Sequence, residues 1–159
     1  MSLPNYITPE GFAALQAAHK QLFEVERPKI VEIVSWAAGN GDRSENGDYL
    51  YGRKRMREID RELNHLAKRM KAAQVVDPAR QPDKSCVFFG ATVIVADEDD
   101  QEQELTLVGV DEADASRGRI NWNAPIARAL RGAGIGDVRR VELPNGVREL
   151  EVVAIRYPD

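Results

Sequence analysis

Chemistry-bearing residue types are scarce in this sequence: 159 residues hold one cysteine, two histidines, two tryptophans, four tyrosines and four phenylalanines. A single cysteine, Cys86, excludes an internal disulfide and a cysteine-based zinc site. Within the apolar run Cys86-Val87-Phe88-Phe89 it reads as a core residue, and this usage fits a reducing cytoplasm. His19 and His65 have no second ligand at metal or catalytic spacing. There is no Gly-rich phosphate loop, no Ser-His-Asp order and no nucleophile elbow. The acidic run Asp97-Glu98-Asp99-Asp100 lacks the twelve-residue spacing of a calcium loop and reads as a solvated hairpin turn. No apolar run approaches the ~20 residues needed to cross a bilayer. The first residues, Met1-Ser2-Leu3-Pro4-Asn5, carry no basic stretch followed by an apolar one, so neither a secretory leader nor a membrane partner is expected.

With 43% hydrophobic and 30% charged residues, the chain reads as globular, long enough for one ordinary domain or two small ones. A net charge of −4 offers no global argument for nucleic acid, but the distribution is uneven. Residues 53–71 hold eight basic side chains against three acidic ones.

The first half has helical period. Thr8-Pro9-Glu10 is a helix start, with a hydroxyl N-cap, proline at the first helical position and an acid at the positive helix end. Phe12, Leu15, Leu22, Ile30, Ile33 and Ala37 mark one face, with His19 and Glu26 filling it. Pro28 should bend or interrupt this helix near Arg27-Pro28. After Gly39-Asn40-Gly41, Asp42 or Ser44 can cap a second helix. Its seam is Tyr49, Gly52, Met56, Ile59, Leu63, Leu66, Met70 and Ala73, in alternating steps of three and four. Two helices joined by a short glycine turn must lie antiparallel. The expectation is therefore an α+β chain. An antiparallel coiled-coil hairpin occupies residues 1–77, a linker residues 78–83, and a small antiparallel sheet unit residues 84–159. Strands are expected over Val87–Val95, Leu105–Val110, Val138–Leu143 and Val147–Ile155, with a tight turn at Pro144-Asn145-Gly146. A short helix should run from Asn123-Ala124-Pro125 to Leu130.

Two features of the hairpin suggest chemistry. Asp42, Glu45 and Asp48 crowd the reversal. Capping and the helix dipole, at ~0.3–1 kcal/mol each, account for such acids in an arbitrary hairpin. Equally, two carboxylates suit part of a magnesium site whose remaining ligands come from elsewhere. The second feature is the row Lys54, Arg57, Arg61, Asn64, Lys68 and Lys71, with Arg53 beside it, offset by two residues from the seam. Two residues is ~200° of helix, so the row faces away from the buried side. Lys54/Arg57, Arg57/Arg61 and Lys68/Lys71 are mutually repulsive neighbours that a merely solvated face would intersperse with acids. This points to a polyanion, with Tyr49 and Tyr51 the nearby aromatics for stacking on bases.

Gly41-Asp42-Arg43-Ser44-Glu45-Asn46-Gly47-Asp48-Tyr49, preceded by Trp36-Ala37-Ala38 and followed by Lys54-Arg55-Met56-Arg57-Glu58-Ile59-Asp60, resembles the bacterial Gre transcript cleavage factors, most of all their GreB branch. Residues 120–130, Ile-Asn-Trp-Asn-Ala-Pro-Ile-Ala-Arg-Ala-Leu, resemble the family's second signature. The resemblance covers nearly the whole chain. It implies a monomeric cytoplasmic elongation factor, not an enzyme alone, whose coiled coil enters the secondary channel of RNA polymerase when the nascent RNA 3′ end is extruded. Asp42 and Glu45 match the tip acids that help hold a second, weakly bound Mg²⁺ shared with the polymerase. Arg53, Lys54, Arg57, Arg61, Lys68 and Lys71 would neighbour the RNA. The C-terminal unit would be FKBP-like and would grip the coiled coil at the channel rim, where Asn123 and Pro125 match the contact segment. Two positions depart from the family pattern: Gly47 stands where alanine is usual, and Asn123 is neutral where GreB-type members tend to have aspartate. The alternatives are a channel-binding regulator without cleavage activity, an FKBP-like isomerase or chaperone, and a structural coiled coil that dimerises.

Overall fold

The computed structural model describes residues 4–39 and 46–159. Thr8 opens helix α1, Pro9–Gln21, by accepting the Gly11 amide on Oγ1 at 3.0 Å, and the helical unit takes up the chain over Phe12–Ala72. A five-residue π turn, Leu22–Glu26, leads into α2, Arg27–Ala38. The expected interruption at Pro28 takes this form. Proline brings no N–H and crowds the carbonyl four residues back, and the wider turn absorbs the mismatch, with the Arg27 amide donating to the Leu22 carbonyl. Helix α3 runs Gly47–Ala72.

The α3 seam appears as its spacing predicts: Gly52, Ile59, Leu63 and Leu66 are buried, and Tyr49, Met56 and Met70 half-buried. Leu22 joins Ile59, Leu63 and Leu66 in one cluster, with Leu15 and Ile30 packed on it. On the opposing arm, Ile33 is 41% exposed, and Val34 takes the inward place expected for it. A Cβ built on Gly52 would lie 2.6 Å from Val34 Cγ2, so the helices approach closely there because position 52 has no side chain. The contacts run in opposite order on the two arms: Arg27 with Asp60, Val34 with Gly52, Ala37 with Asn46. The hairpin is therefore antiparallel.

The second unit contains the residues up to Gly11 together with Ala73–Asp159. The boundary differs from the expected one at residue 77, because strand β1, Tyr6–Ile7, pairs in parallel with β2, Gln74–Val75. Nor are residues 78–83 a free linker. Pro78 is buried against Gly90, which at φ +87° leaves the space a Cβ would fill, and Asp77 Oδ1 caps the turn by accepting the Ala79 amide at 3.0 Å. The main sheet has the order β5-β4-β3-β7-β6, with β3 Thr92–Ala96, β4 Glu102–Val108, β5 Arg119–Asn121, β6 Val138–Leu143 and β7 Gly146–Arg156. Alternate residues Val93 and Val95, Leu105 and Leu107, Leu150 and Val152 point into one core with Val87, Phe89, Trp122 and Leu130. Helix α4, Pro125–Leu130, covers that core.

Three expectations change here. The strand thought to start at Val87 starts at Thr92, because the chain turns through Gly90. The sheet is mixed, since β5 lies parallel to β4. Cys86 is only half-buried; its carbonyl accepts the Tyr157 hydroxyl at 2.6 Å while that oxygen accepts the Phe88 amide at 2.9 Å. Burial pushes the Tyr157 phenol above its ordinary pKa. The acidic run is the β3–β4 turn: Asp97 Oδ1 accepts the Asp99 and Gln101 amides, and these hydrogen bonds, with Arg148 2.8 Å away, hold its pKa below the usual value.

The close approach at Gly52 yields a prediction. Gly52→Leu should destabilise the hairpin by about 1–3 kcal/mol through overpacking, and Val34→Ala in the same chain should recover most of the loss. Urea unfolding followed by circular dichroism at 222 nm measures both. Equal stability of Gly52→Leu and the parent would show that the helices do not meet there.

Candidate functional site

The end of the hairpin is organised by Asn46. Its Oδ1 accepts the Tyr49 amide at 3.1 Å, and its own carbonyl accepts the Leu50 amide at 3.0 Å, which makes it the N-cap of α3. Its Nδ2 donates to the Ala37 carbonyl at 2.7 Å, near the end of α2. The cap is thus Asn46, not Asp42 or Ser44. An amide side chain combines the acceptor that α3 requires with the donor that α2 requires, whereas a carboxylate has no donor. Asp42 and Glu45, the two acids of greatest interest, lie outside the described residues. Asp48 is exposed in the first turn of α3, where the helix dipole favours an acid, and Gly47 begins that turn with open space around it.

Below the tip the charges of α3 are sorted. Asp60 accepts Arg27 Nε at 2.9 Å, and Glu58 and Glu26 lie 3.4 Å and 3.8 Å from Arg55. These acids are therefore engaged beside the seam. On the far side Arg53, Lys54, Arg57, Arg61, Lys68 and Lys71 are all exposed, and none has a carboxylate within ion-pair distance among the described residues. Arg61 Nε reaches only the Arg57 carbonyl, at 3.4 Å. The face is a row of uncompensated cations along one rigid helix, suited to successive phosphates.

The second group sits in the sheet unit at the junction of β5 and α4. Pro125 is exposed as the first residue of α4. The Asn123 amide donates to Asn121 Oδ1 at 3.0 Å, and Asn123 Oδ1 accepts Arg131 Nη2 at 3.3 Å. Beside them Trp122 stacks on Tyr6, ring centroids 4.7 Å apart, and Arg131 lies 4.3 Å over the Trp122 ring. Sequence reasoning missed Asn46, Tyr6 and Arg131. Asparagine's cap preference could have flagged the first; Tyr6 depends on a contact with Trp122 more than a hundred residues away, and Arg131 on the turn that folds it back over Trp122 and Asn123. No cluster of three or more His, Cys, Asp or Glu side chains able to hold a metal occurs among the described residues. Among the described residues no helix is long and apolar enough to cross a membrane.

This organisation has known counterparts. Residues 5–75 match the N-terminal family model of transcription elongation factors, and residues 81–157 match the GreA/GreB C-terminal model. The transcription elongation factor GreB of Neisseria meningitidis serogroup B is 52% identical over 153 residues, 96% of this chain and 94% of that protein. The GreB of Yersinia pestis is 46% identical over 158 residues, 99% of this chain and 91% of that one. A solved structure of a GreA/GreB elongation factor from Nitrosomonas europaea is similar at 23% identity and a TM-score of 0.42, covering 96% of this chain and 98% of that one. A helical hairpin followed by a curled sheet unit, both matched by one family, is the organisation of a transcription elongation factor. The chain belongs to the GreA/GreB family, and GreB relatives between 42% and 52% identical span nearly its whole length.

The double role of Asn46 is testable. Asn46→Ala should cost about 1–2 kcal/mol of hairpin stability. Asn46→Asp, which keeps the acceptor and loses the donor, should fall between. Exchange of the Tyr49 amide is the readout, and identical protection in all three proteins would refute the assignment.

Proposed function

We propose that this chain stimulates the transcript-cleavage activity of RNA polymerase on backtracked complexes, completing an active site rather than forming one alone. The observation that carries the reading is a helix whose outer face is a row of unpaired cations and whose N-terminal approach holds two carboxylates in the segment Gly-Asp-Arg-Ser-Glu-Asn. The hairpin would enter the secondary channel, with Arg53, Lys54, Arg57, Arg61, Lys68 and Lys71 along the extruded RNA 3′ segment. Each cation would displace condensed counterions from the strand and hold it in register. Asp42 and Glu45 would offer oxygen ligands to a Mg²⁺ held jointly with the polymerase; two carboxylates are the donor type that ion prefers, and too few to hold it alone. When bound, such an ion supplies activation of water and stabilisation of the leaving oxygen in phosphodiester hydrolysis. The sheet unit, which we take as FKBP-like, would grip the rim coiled coil through the segment around half-buried Asn123 and exposed Pro125. The factor would act in the cytoplasm as a monomer. Retention of both tip acids argues against a channel-binding regulator that lacks cleavage.

Two experiments test this. Added with Mg²⁺ to stalled, backtracked elongation complexes carrying end-labelled RNA, the protein should yield shortened transcripts, and Asp42→Ala with Glu45→Ala should abolish the gain. Cleavage by the double variant at the parental rate sinks the reading. Separately, replacing Lys54, Arg57 and Arg61 by alanine should weaken action on deeply backtracked complexes more than it weakens binding to polymerase. The log–log salt slope of that action should fall by about 2, from ~0.7 per lost phosphate contact on a single strand. Equal loss of binding and cleavage would remove the RNA from this face.

A further inference from the structure

The sheet unit holds a cavity of about 340 Å³ whose lining includes Tyr6, Phe88, Phe89, Trp122, Gln81 and Arg131. Its apolar wall is closely packed. Tyr6 stacks on Trp122 at 4.7 Å, and Phe89 meets both rings edge-on, at 5.5 Å from Tyr6 and 5.7 Å from Trp122. Trp122 and Phe89 are 7% and 6% exposed, so neither ring rearranges freely.

Arg131 is the anomaly in this wall. Its guanidinium covers the Trp122 ring, and Nη2 donates to the Trp122 carbonyl at 2.7 Å and to neutral Asn123 Oδ1 at 3.3 Å. Nε is buried with no acceptor, and no carboxylate pairs with the group among the described residues. Three other arginines of the unit are paired: Arg119 has Glu112, Arg148 has Asp97 and Arg156 has Glu104. Burial, and then the nearby positive Arg128, lower the Arg131 pKa. A half-buried cation with spare donors and only neutral acceptors leaves a strong demand for an anion. The adjoining aromatic wall asks at the same time for an apolar body, and the volume suits a small organic group.

We infer that this cavity is a binding site for an apolar group bearing a carboxylate, held by Arg131 at its charged end and by Tyr6, Phe89 and Trp122 along its body. Experiment distinguishes two sources of the carboxylate: a free small organic acid, or an acidic side chain beside an apolar one on a protein segment docked near Asn123 and Pro125. The site uses neither the hairpin acids nor the basic face, so it stands or falls independently of transcript cleavage.

The test uses the full chain with Trp36→Phe, so that fluorescence reports on Trp122 alone. Titration with 3-phenylpropionate should give a saturable change and bind about tenfold more tightly than 3-phenylpropionamide, its neutral isostere. Arg131→Met should make acid and amide equal, while Arg131→Lys should keep a weaker preference for the acid. Equal binding of the two probes by the parent, a preference that survives in Arg131→Met, or no saturable response to either would overturn the inference. The acid–amide comparison on the parent holds even where a variant fails to fold. Core RNA polymerase then separates the sources. Displacement of the bound probe assigns the natural carboxylate to the polymerase, and undiminished binding assigns it to a free acid.

Discussion

Two residues of parallel pairing, Tyr6 with Gln74 and Ile7 with Val75, hold the two ends of the hairpin sequence side by side. Much else follows from that constraint. Ile7 is fully buried and Thr8 nearly so. The Glu112 carboxylate, itself 5% exposed at its side chain, accepts the Thr8 amide and hydroxyl and the Gly109 amide, at 2.9 Å and 3.0 Å for the two amides. Thr8 Oγ1 in turn caps α1. A buried carboxylate is tolerable only when its lone pairs are filled this way. The start of the first hairpin helix is therefore built from side chains far away in the sequence, and so is the aromatic wall, because Tyr6 rides on the same short strand.

The hairpin is governed by a second economy, of charge. Acids on α3 at positions 58 and 60 meet arginines at its flank, where they reinforce the packing of the arms. Exposed pairs of this kind contribute about 0.2–1 kcal/mol each. Their larger consequence is what they leave behind. With those acids already paired to arginines, the outward row keeps its cations without local neutralisation, and a chain of net charge −4 acquires one strongly positive edge. Net charge describes solubility; the field that a strand of RNA would meet depends on this sorting.

Legibility from sequence followed the range of the interaction. The α3 seam was readable residue by residue, because a 3-4 repeat reports a helix face wherever the partner helix lies. The opposing arm was readable except at Ile33, whose place Val34 takes; both are apolar and adjacent, so the pattern does not separate them, and the π turn at Leu22–Glu26 shifts the phase. Two-residue strands carry no period, so spacing does not reveal β1 and β2, and without their pairing the sequence places the boundary at residue 77. β5, at three residues, was lost for the same reason, and with it the parallel pairing. The cap of α3 was misplaced because Asp42, Ser44 and Asn46 all have cap chemistry, and only the location of the Ala37 carbonyl selects among them.

By itself the sequence determined the α+β class, the antiparallel hairpin, the outward row of cations and the signature segments that mark the GreA/GreB family, since each depends on residue type and spacing within one element. Tertiary structure decided what depends on distance between elements. It selected Asn46 as the group that ties α3 to α2, packed Pro78 against Gly90, and left Arg131 against Trp122 with no carboxylate among the described residues. Spacing along a chain reports the face a side chain occupies, and only the fold brings to that face the partner it will meet.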